Sequence, residues 1–450
     1  MLSAFQNAIR IPDLRRRLLI TFGLLILYRL GIYITLPGVD AELIREQLAS
    51  SKGDGGGLSQ LMNFASMVTG GNMAQCTLFA LGIMPYISAS IIFSLLVKVI
   101  PQLEALSKEG ESGRRAITQY TRYATVGLCI VQSFFIVGWL QTPLGDRSMV
   151  IGEPGLWFWF RTVLALTTGT VFLMWIGEQI TEFGIGNGIS LIIMAGIIAA
   201  LPPSIYQFFM NMKVAAEAGT NVPAEALKFF AFIGLFVVVT VAVVIMQLGQ
   251  RRIPVQQAKH TRGRRVYGGQ RHYLPLKVNS AGVMPVIFAQ SLIILPTAVF
   301  SAFNWRWISD LLSSPDGFWY ITLQVLLVFF FTYFWTSLTF NPVEMASNMK
   351  EHGSFIPGIR PGRKTADYLE HIMNRITLVG SAFLAAITVF PTIAAGGLGI
   401  NLMLASFLGG TGILIVVGVA LDVVQKIESH LLMRHYEGFM KAGKVKGRRS

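Results

Sequence analysis

Long apolar stretches recur along the chain and are separated by short polar segments. A helix that crosses a bilayer needs about 20 mostly apolar residues, and ten stretches meet that requirement. They begin near Leu18, Met73, Tyr123, Leu156, Gly188, Phe229, Ala281, Phe318, Ile376 and Asn401. The pattern predicts an all-α polytopic membrane protein with ten transmembrane helices.

Composition supports the same class. The 450 residues are 53% hydrophobic and 13% charged, and the mean hydropathy is +0.57, whereas a soluble domain has about 25% charged residues. Two cysteines lie in apolar stretches, which is typical of small buried side chains and not of a disulfide.

The net charge of +14 is concentrated in alternate loops. Lys and Arg are enriched in the cytoplasmic loops of membrane proteins, so both termini are expected in the cytoplasm. The resulting division of the chain is a cytoplasmic segment 1–17, an N-terminal half 18–204, an external loop 205–228, a C-terminal half 229–424 with cytoplasmic loops 249–279 and 341–375, and a basic cytoplasmic tail 425–450.

The two halves share a short repeat. The sequence GIMPYISAS at 82–90 matches GVMPVIFAQ at 282–290, and five predicted helices separate the two copies. An odd number of intervening spans gives an inverted repeat, in which matched broken helices line the functional path. Pro85 and Pro285 predict a kink or break in each copy, although chance similarity between apolar helices remains an alternative.

Isoleucines flanked by small residues recur on the second, fifth, seventh and tenth predicted helices. A carrier of ions or solutes would place ionisable residues near the middle of such helices, and these have essentially none there. An aliphatic ring around a central pore would exclude water and ions, while the alternative is that the residues face lipid or the helix bundle. The candidates are Ile87, Ile91, Ile189, Ile193, Ile287 and Ile415.

Glycines at 55–57 and 70–71 bracket a weakly apolar segment that is too short to cross a bilayer. The segment is predicted to form a re-entrant or interfacial helix that fills the outer vestibule as a movable stopper. An ordinary external loop is the alternative.

No catalytic motif is present. The sequence has neither a GxxxxGK[ST] loop nor HExxH, and no predicted span carries paired carboxylates. We therefore expect no enzymatic activity, no cofactor and no metal site. An inverted-repeat secondary transporter is the main alternative, and a membrane-anchored RNA-binding protein would rest only on the basic stretch at 251–277.

Several motifs resemble the SecY family, the central subunits of the bacterial Sec protein-conducting channel. They include LGIMPYISASII at 81–92, GNGISLII at 186–193, GRRVYGGQRHYLPLKVNSAGVMP at 263–285 and FNPVEMASNMKEHGSFIPGIRPG at 340–362. The resemblance implies a channel in the bacterial cytoplasmic membrane. It would translocate unfolded secretory polypeptides and release membrane helices laterally into lipid.

The resemblance also implies roles for particular residues. The plug would include Ser59, Leu61, Met62, Phe64 and Met67. The lateral gate would include Pro85, Ser88, Ser90, Pro285, Gln290 and Ser291. Docking of the motor or the ribosome would use Arg251, Arg252, Lys259, Arg264, Arg265 and Arg360.

The implied partners are the subunits SecE and SecG, the motor ATPase SecA, and a translating ribosome whose RNA phosphates meet the basic loops. Signal sequences, nascent chains and membrane lipids complete the set.

Overall fold

The computed structural model describes about three-quarters of the chain in several segments. These are residues 11–40, 76–141, 149–151, 155–199, 222–258, 260–262, 265–267, 271–290, 317–398 and 411–442, together with a few isolated positions between them. The predicted plug segment, and with it Ser59, Leu61, Met62, Phe64 and Met67, lies outside the described residues.

Helices form most of the described structure. The helices are α1 (Pro12–Leu30), α2 (Met84–Val99), α3 (Pro101–Lys108), α4 (Glu111–Leu140), α5 (Leu156–Phe183), α6 (Gly188–Ala199), α7 (Val222–Leu248), α8 (Phe318–Thr339), α9 (Pro342–Glu351), α10 (Arg363–Leu398) and α11 (Thr411–Ala442). Residues 284–290 are also helical. Among the described residues, α4, α5, α7, α8 and α10 are long and apolar enough to cross a membrane, and α2 with α3 adds a bent pair. The predicted polytopic helical class is confirmed.

The bend between α2 and α3 follows from the sequence. The two helices meet at 99°, and Ile100 between them is extended, with φ −97° and ψ 114°. A proline disfavours the helical conformation of the residue before it, so Pro101 ends α2 and begins α3. An i,i+4 salt bridge of 2.8 Å between Lys108 and Glu104 spans the turns of α3.

The two copies of the repeat have the same backbone conformation. Gly82 and Gly282 have φ of +57° and +65°, and each is followed by a helix that begins at the methionine, residue 84 or 284. Pro85 lies in the first turn of α2. Backbone amides in that turn have no acceptor within the helix, so the missing N–H of a proline costs no hydrogen bond there. The described residues before it, 76–83, form turns, so the interruption is a helix start and not a kink inside a longer helix.

The basic loop contains β-structure that the hydrophobic pattern did not predict. Strand β1 (Gln250–Gln257) pairs antiparallel with β4 (Arg271–Lys277), and β5 (Ser354–Phe355) pairs with the other edge of β1. The short strands β2 (His260–Arg262) and β3 (Arg265–Tyr267) pair within the hairpin. The buried residues Ile253 and Val255 of β1 pack in one cluster with Leu369 of α10.

Backbone contacts divide the described chain into two compact units. The first contains α1 to α6 and the part of α11 from Gly418 onward, while the second contains α7 to α10, the five strands and α11 up to Val417. The part of α11 from Gly418 onward groups with the first unit, because Val419 and Val423 pack against its core and Ile427 packs with Leu14 of α1.

Replacing Gly282 by alanine should lower the free energy of unfolding by about 1–2 kcal/mol. A Cβ there meets nothing within 4 Å, so the effect comes from the left-handed φ of +65°. Gly234→Ala in α7 is the matched control, since its Cβ also meets nothing within 4 Å and the backbone is helical. Unfolding in mixed micelles measures both. Equal stability of the two variants would contradict the assignment of strain to Gly282.

Candidate functional site

Helix α2 holds the first pair of candidate isoleucines in the first unit. The helix begins directly after Ile83, whose carbonyl oxygen accepts a hydrogen bond of 3.0 Å from the amide of Ile87. Ile91 is 6% exposed, and Ile87 is half-buried against a cluster that includes Phe79 and Ile176. Lys98, in the last turn, is the one charged residue of α2. The helix therefore presents an apolar surface over most of its length.

Helix α6 holds the second pair. The side-chain oxygen of Asn187 accepts hydrogen bonds from the amides of Ile189 at 3.1 Å and Ser190 at 3.3 Å, which caps the free amides of the first turn. Ile189 packs against the same cluster as Ile87, and Ile193 is half-buried. The described part of α6 contains 12 residues, and residues 201 and 202 are helical as well.

Two glycines determine how closely α6 packs on α5. A Cβ added to Gly188 would clash with the carbonyl oxygen of Gly177, and one added to Gly177 would lie 2.9 Å from Cγ1 of Ile189. Because neither glycine has a side chain, α5 and α6 pack closely at the start of α6, next to Ile189. The position of the isoleucine thus depends on glycine.

The second unit holds the remaining two isoleucines. Ile287 is half-buried on the short helix at 284–290, and its neighbour Phe288 stacks on Phe331 of α8 with ring centroids 5.4 Å apart. Ile415 of α11 is 8% exposed. The side-chain amide of Gln247 in α7 donates a hydrogen bond of 3.2 Å to the carbonyl oxygen of Leu414, which fixes this turn of α11. The six candidates are thus divided between the units, four and two.

The lateral-gate candidates differ in their surroundings. Pro85 and Pro285 are buried, Ser88 is half-buried and Ser90 is exposed. The side-chain oxygen of Gln290 is buried and has no hydrogen-bond partner among the described residues. Ser291 lies outside the described residues.

The docking candidates lie on the hairpin and in the loop before α10. Arg251 and Arg252 are exposed neighbours on β1, so their side chains point to opposite faces of the strand. Arg360 is exposed, and its carbonyl oxygen accepts a hydrogen bond of 2.9 Å from the hydroxyl of Thr365. Lys259 and Arg264 lie outside the described residues, and only the backbone of Arg265, in β3, is described.

An ion pair that the sequence did not indicate joins α4 and α5. Nε of Arg122 lies 2.7 Å from Oε1 of Glu178, and their side chains are 43% and 26% exposed. The partners are 56 positions apart, so no local pattern reveals them. The pair joins the N-terminal part of α4 to the C-terminal part of α5 in the first unit. No group of three metal-ligating side chains occurs among the described residues.

Comparisons with known proteins agree along almost the whole chain. The sequence model of the SecY family matches residues 77–424. The protein translocase subunit SecY of Thermotoga maritima is 40% identical over 452 residues, which covers all of both chains.

Two solved structures extend the comparison to the fold. A protein-conducting channel aligns with TM-score 0.60 and 20% identity over 96% of this chain and 95% of that chain. Canine Sec61 in a ribosome–channel complex from the endoplasmic reticulum aligns with TM-score 0.56 and 19% identity, with the same coverage. These two likenesses concern the fold alone.

Gly188→Ala should lower the free energy of unfolding by about 1–3 kcal/mol, because the added methyl group overpacks the contact with Gly177. Gly127→Ala in α4 is the control, since its Cβ meets nothing within 4 Å. Thermal unfolding in detergent measures the difference. If Gly188→Ala were as stable as Gly127→Ala, the close approach of α5 and α6 would not be a constraint.

Proposed function

The chain belongs to the SecY family, and we propose that it is a channel that translocates unfolded secretory polypeptides and releases membrane helices laterally into lipid. One observation carries this proposal beyond family membership. Helices α2 and α6, which bear four of the six candidate isoleucines, offer aliphatic side chains and a single charged residue, Lys98, along their described lengths. A secondary transporter is not favoured, because it would need polar or ionisable ligands for its substrate there.

The six isoleucines form the pore ring in this proposal. Aliphatic side chains bind water weakly, so a narrow ring of them empties of water and blocks ions. The same side chains have no fixed hydrogen-bonding geometry, which lets the ring accept polypeptides of any sequence. Ile87 and Ile189 pack against one cluster in the first unit and keep part of each side chain exposed, as a ring that faces a pore requires.

The plug and the lateral gate are proposals that rest on sequence and family. The segment with Ser59, Leu61, Met62, Phe64 and Met67 would close the outer side of the ring. The gate would open between α2 and the helix at 284–290, the two copies of the repeat. The unpartnered amide oxygen of Gln290 supports this role, because a passing signal sequence could supply the missing hydrogen bond.

Docking would take place on the cytoplasmic side. The basic hairpin, with Arg251, Arg252, Lys259, Arg264 and Arg265, would meet ribosomal RNA phosphates or acidic surfaces of the motor SecA. The related Sec61 has been seen in a ribosome–channel complex, which supports the ribosomal partner. SecE and SecG would complete the channel.

The chain is a multi-pass membrane protein. We place it in the bacterial cytoplasmic membrane with both termini in the cytoplasm, since the basic loops then obey the positive-inside bias. The halves 18–204 and 229–424 would be the inverted repeats, joined by the external loop 205–228 and followed by the tail 425–450.

Replacing Ile87, Ile193 and Ile287 together by alanine should make the resting channel leak ions, because truncation widens the ring while the helices persist. The control replaces Ile92, Ile198 and Leu292, which are 40–44% exposed on the same helices, by alanine. Ion flux through reconstituted vesicles is the measurement. Equal leakage from the two triple variants would reject the ring as the seal.

Arg360→Glu should reduce SecA-driven export of a secreted reporter at least tenfold while the fold persists. The hydrogen bond to Thr365 uses the backbone of Arg360, so the substitution leaves it intact. Lys364→Glu, an exposed site with the same charge change in the first turn of α10, is the control. Export is compared at equal membrane abundance. Equal export by both variants would reject a specific role of Arg360 in motor coupling.

A further inference from the structure

A cavity of about 530 Å³ lies in the second unit, where the base of the hairpin meets α10. Three basic side chains line it: Arg251 from β1, and His371 and Arg375 from α10. The positions 371 and 375 are one helical turn apart, and Arg251 shares the face of β1 that carries Ile253 and Val255 toward α10. The three side chains therefore converge from two elements on one space.

The charges in this cavity lack counter-ions among the described residues. No Asp or Glu of the described chain lines it, and neither Arg251 nor Arg375 belongs to any of the ion pairs found there. Two guanidinium groups held near each other repel, and an anion between them removes that repulsion. Guanidinium groups match the geometry of phosphate, to which they can donate paired hydrogen bonds.

The remaining wall of the cavity is mostly apolar, with Gln250 and Tyr368 as its polar members. Ile372, Ile376 and Val379 line it along one face of α10, and the side chain of Val379 is 57% exposed. The basic side chains and the apolar side chains thus form adjacent zones of one space. Such a division suits an amphiphile better than a free ion.

In the topology proposed above, the cavity lies at the level of the membrane surface. Helix α7 ends at Leu248, two residues before the first residue of β1, and the ninth apolar stretch begins at Ile376. The amide of Val278 donates a hydrogen bond of 2.9 Å to the carbonyl oxygen of Gly249, which ties the base of the hairpin to the end of α7. Arg251 and Arg375 are therefore placed where the headgroups of the cytoplasmic leaflet lie, while Val379 is placed beside the start of the acyl chains.

We infer that this cavity is a binding site for an anionic phospholipid. The phosphate of the headgroup lies between Arg251 and Arg375, and an acyl chain runs along Ile372, Ile376 and Val379. Basic pockets between transmembrane helices on the cytoplasmic side bind headgroups in this way. The assignment removes Arg251 from the docking residues proposed above, because its side chain lines the cavity, whereas Arg252 points to the opposite face of β1 and stays available for docking.

The test measures lipid binding to the purified full-length chain by native mass spectrometry in mixed micelles. Phosphatidylglycerol should bind more tightly than phosphatidylcholine of the same chain length. The double variant Arg251→Gln with Arg375→Gln should weaken binding of phosphatidylglycerol about 25-fold, about fivefold for each basic residue at an anionic surface. Binding of phosphatidylcholine should stay unchanged.

A charge-matched control separates a site from general attraction. Lys277→Gln with Lys364→Gln removes two exposed positive charges from the hairpin base and α10 outside the cavity lining and should leave the preference intact. Arg251→Lys with Arg375→Lys retains the charges and should retain most of the binding, which guards against misfolding as the cause. If the glutamine variant and the control behave alike, or the parent shows no preference, the inference is wrong. Complete competition by soluble glycerol 3-phosphate would equally overturn it, since the site would then hold a free phosphate.

Discussion

Every peptide group that enters hydrocarbon must find its hydrogen bond within the protein, because lipid offers none. At several breaks between the described helices, the chain supplies a substitute. Asn187 caps the free amides that begin α6, and Pro85 occupies a first-turn position that needs no donor. Pro101 turns α3 away from α2 at 99°. Interruptions of this kind let helices start and turn within apolar segments, and the proposed channel depends on such starts.

The same local arrangement occurs twice. A glycine with positive φ precedes a Met-Pro helix start at both Gly82 and Gly282, although the first helix packs against Phe79 and Ile176 and the second stacks Phe288 on α8. Similar backbones in different packing environments argue that the short sequence repeat reflects structural constraint and not chance. Only glycine adopts a left-handed backbone conformation at little cost. The presence of glycine in both copies, at 82 and 282, therefore has a physical reason.

Local signals predicted the fold well and long-range pairing poorly. The starts of α5 at Leu156 and α8 at Phe318 follow from hydropathy, since a run of apolar residues is visible without any partner. The hairpin was missed because its basic residues suggested only a charged loop, and its register depends on a strand some twenty positions away. The ion pair between Arg122 and Glu178 joins positions far apart in sequence, and so does the cavity lined by Arg251 and Arg375. No local pattern predicts either of them. The plug remains a prediction, since its residues lie outside those described.

The hairpin has a consequence for the kinetics and selectivity of association. Its ladder runs from Gln250 opposite Lys277 to Gln256 opposite Arg271, and its inner face is anchored by Ile253 and Val255. A disordered basic loop would have to give up conformational entropy on meeting a partner. Arginines on an anchored ladder have already lost most of that freedom during folding. In the proposed docking they would discriminate by the spacing of the opposing phosphates or carboxylates as well as by charge, and such discrimination would persist at salt concentrations that screen a loose polybasic tail.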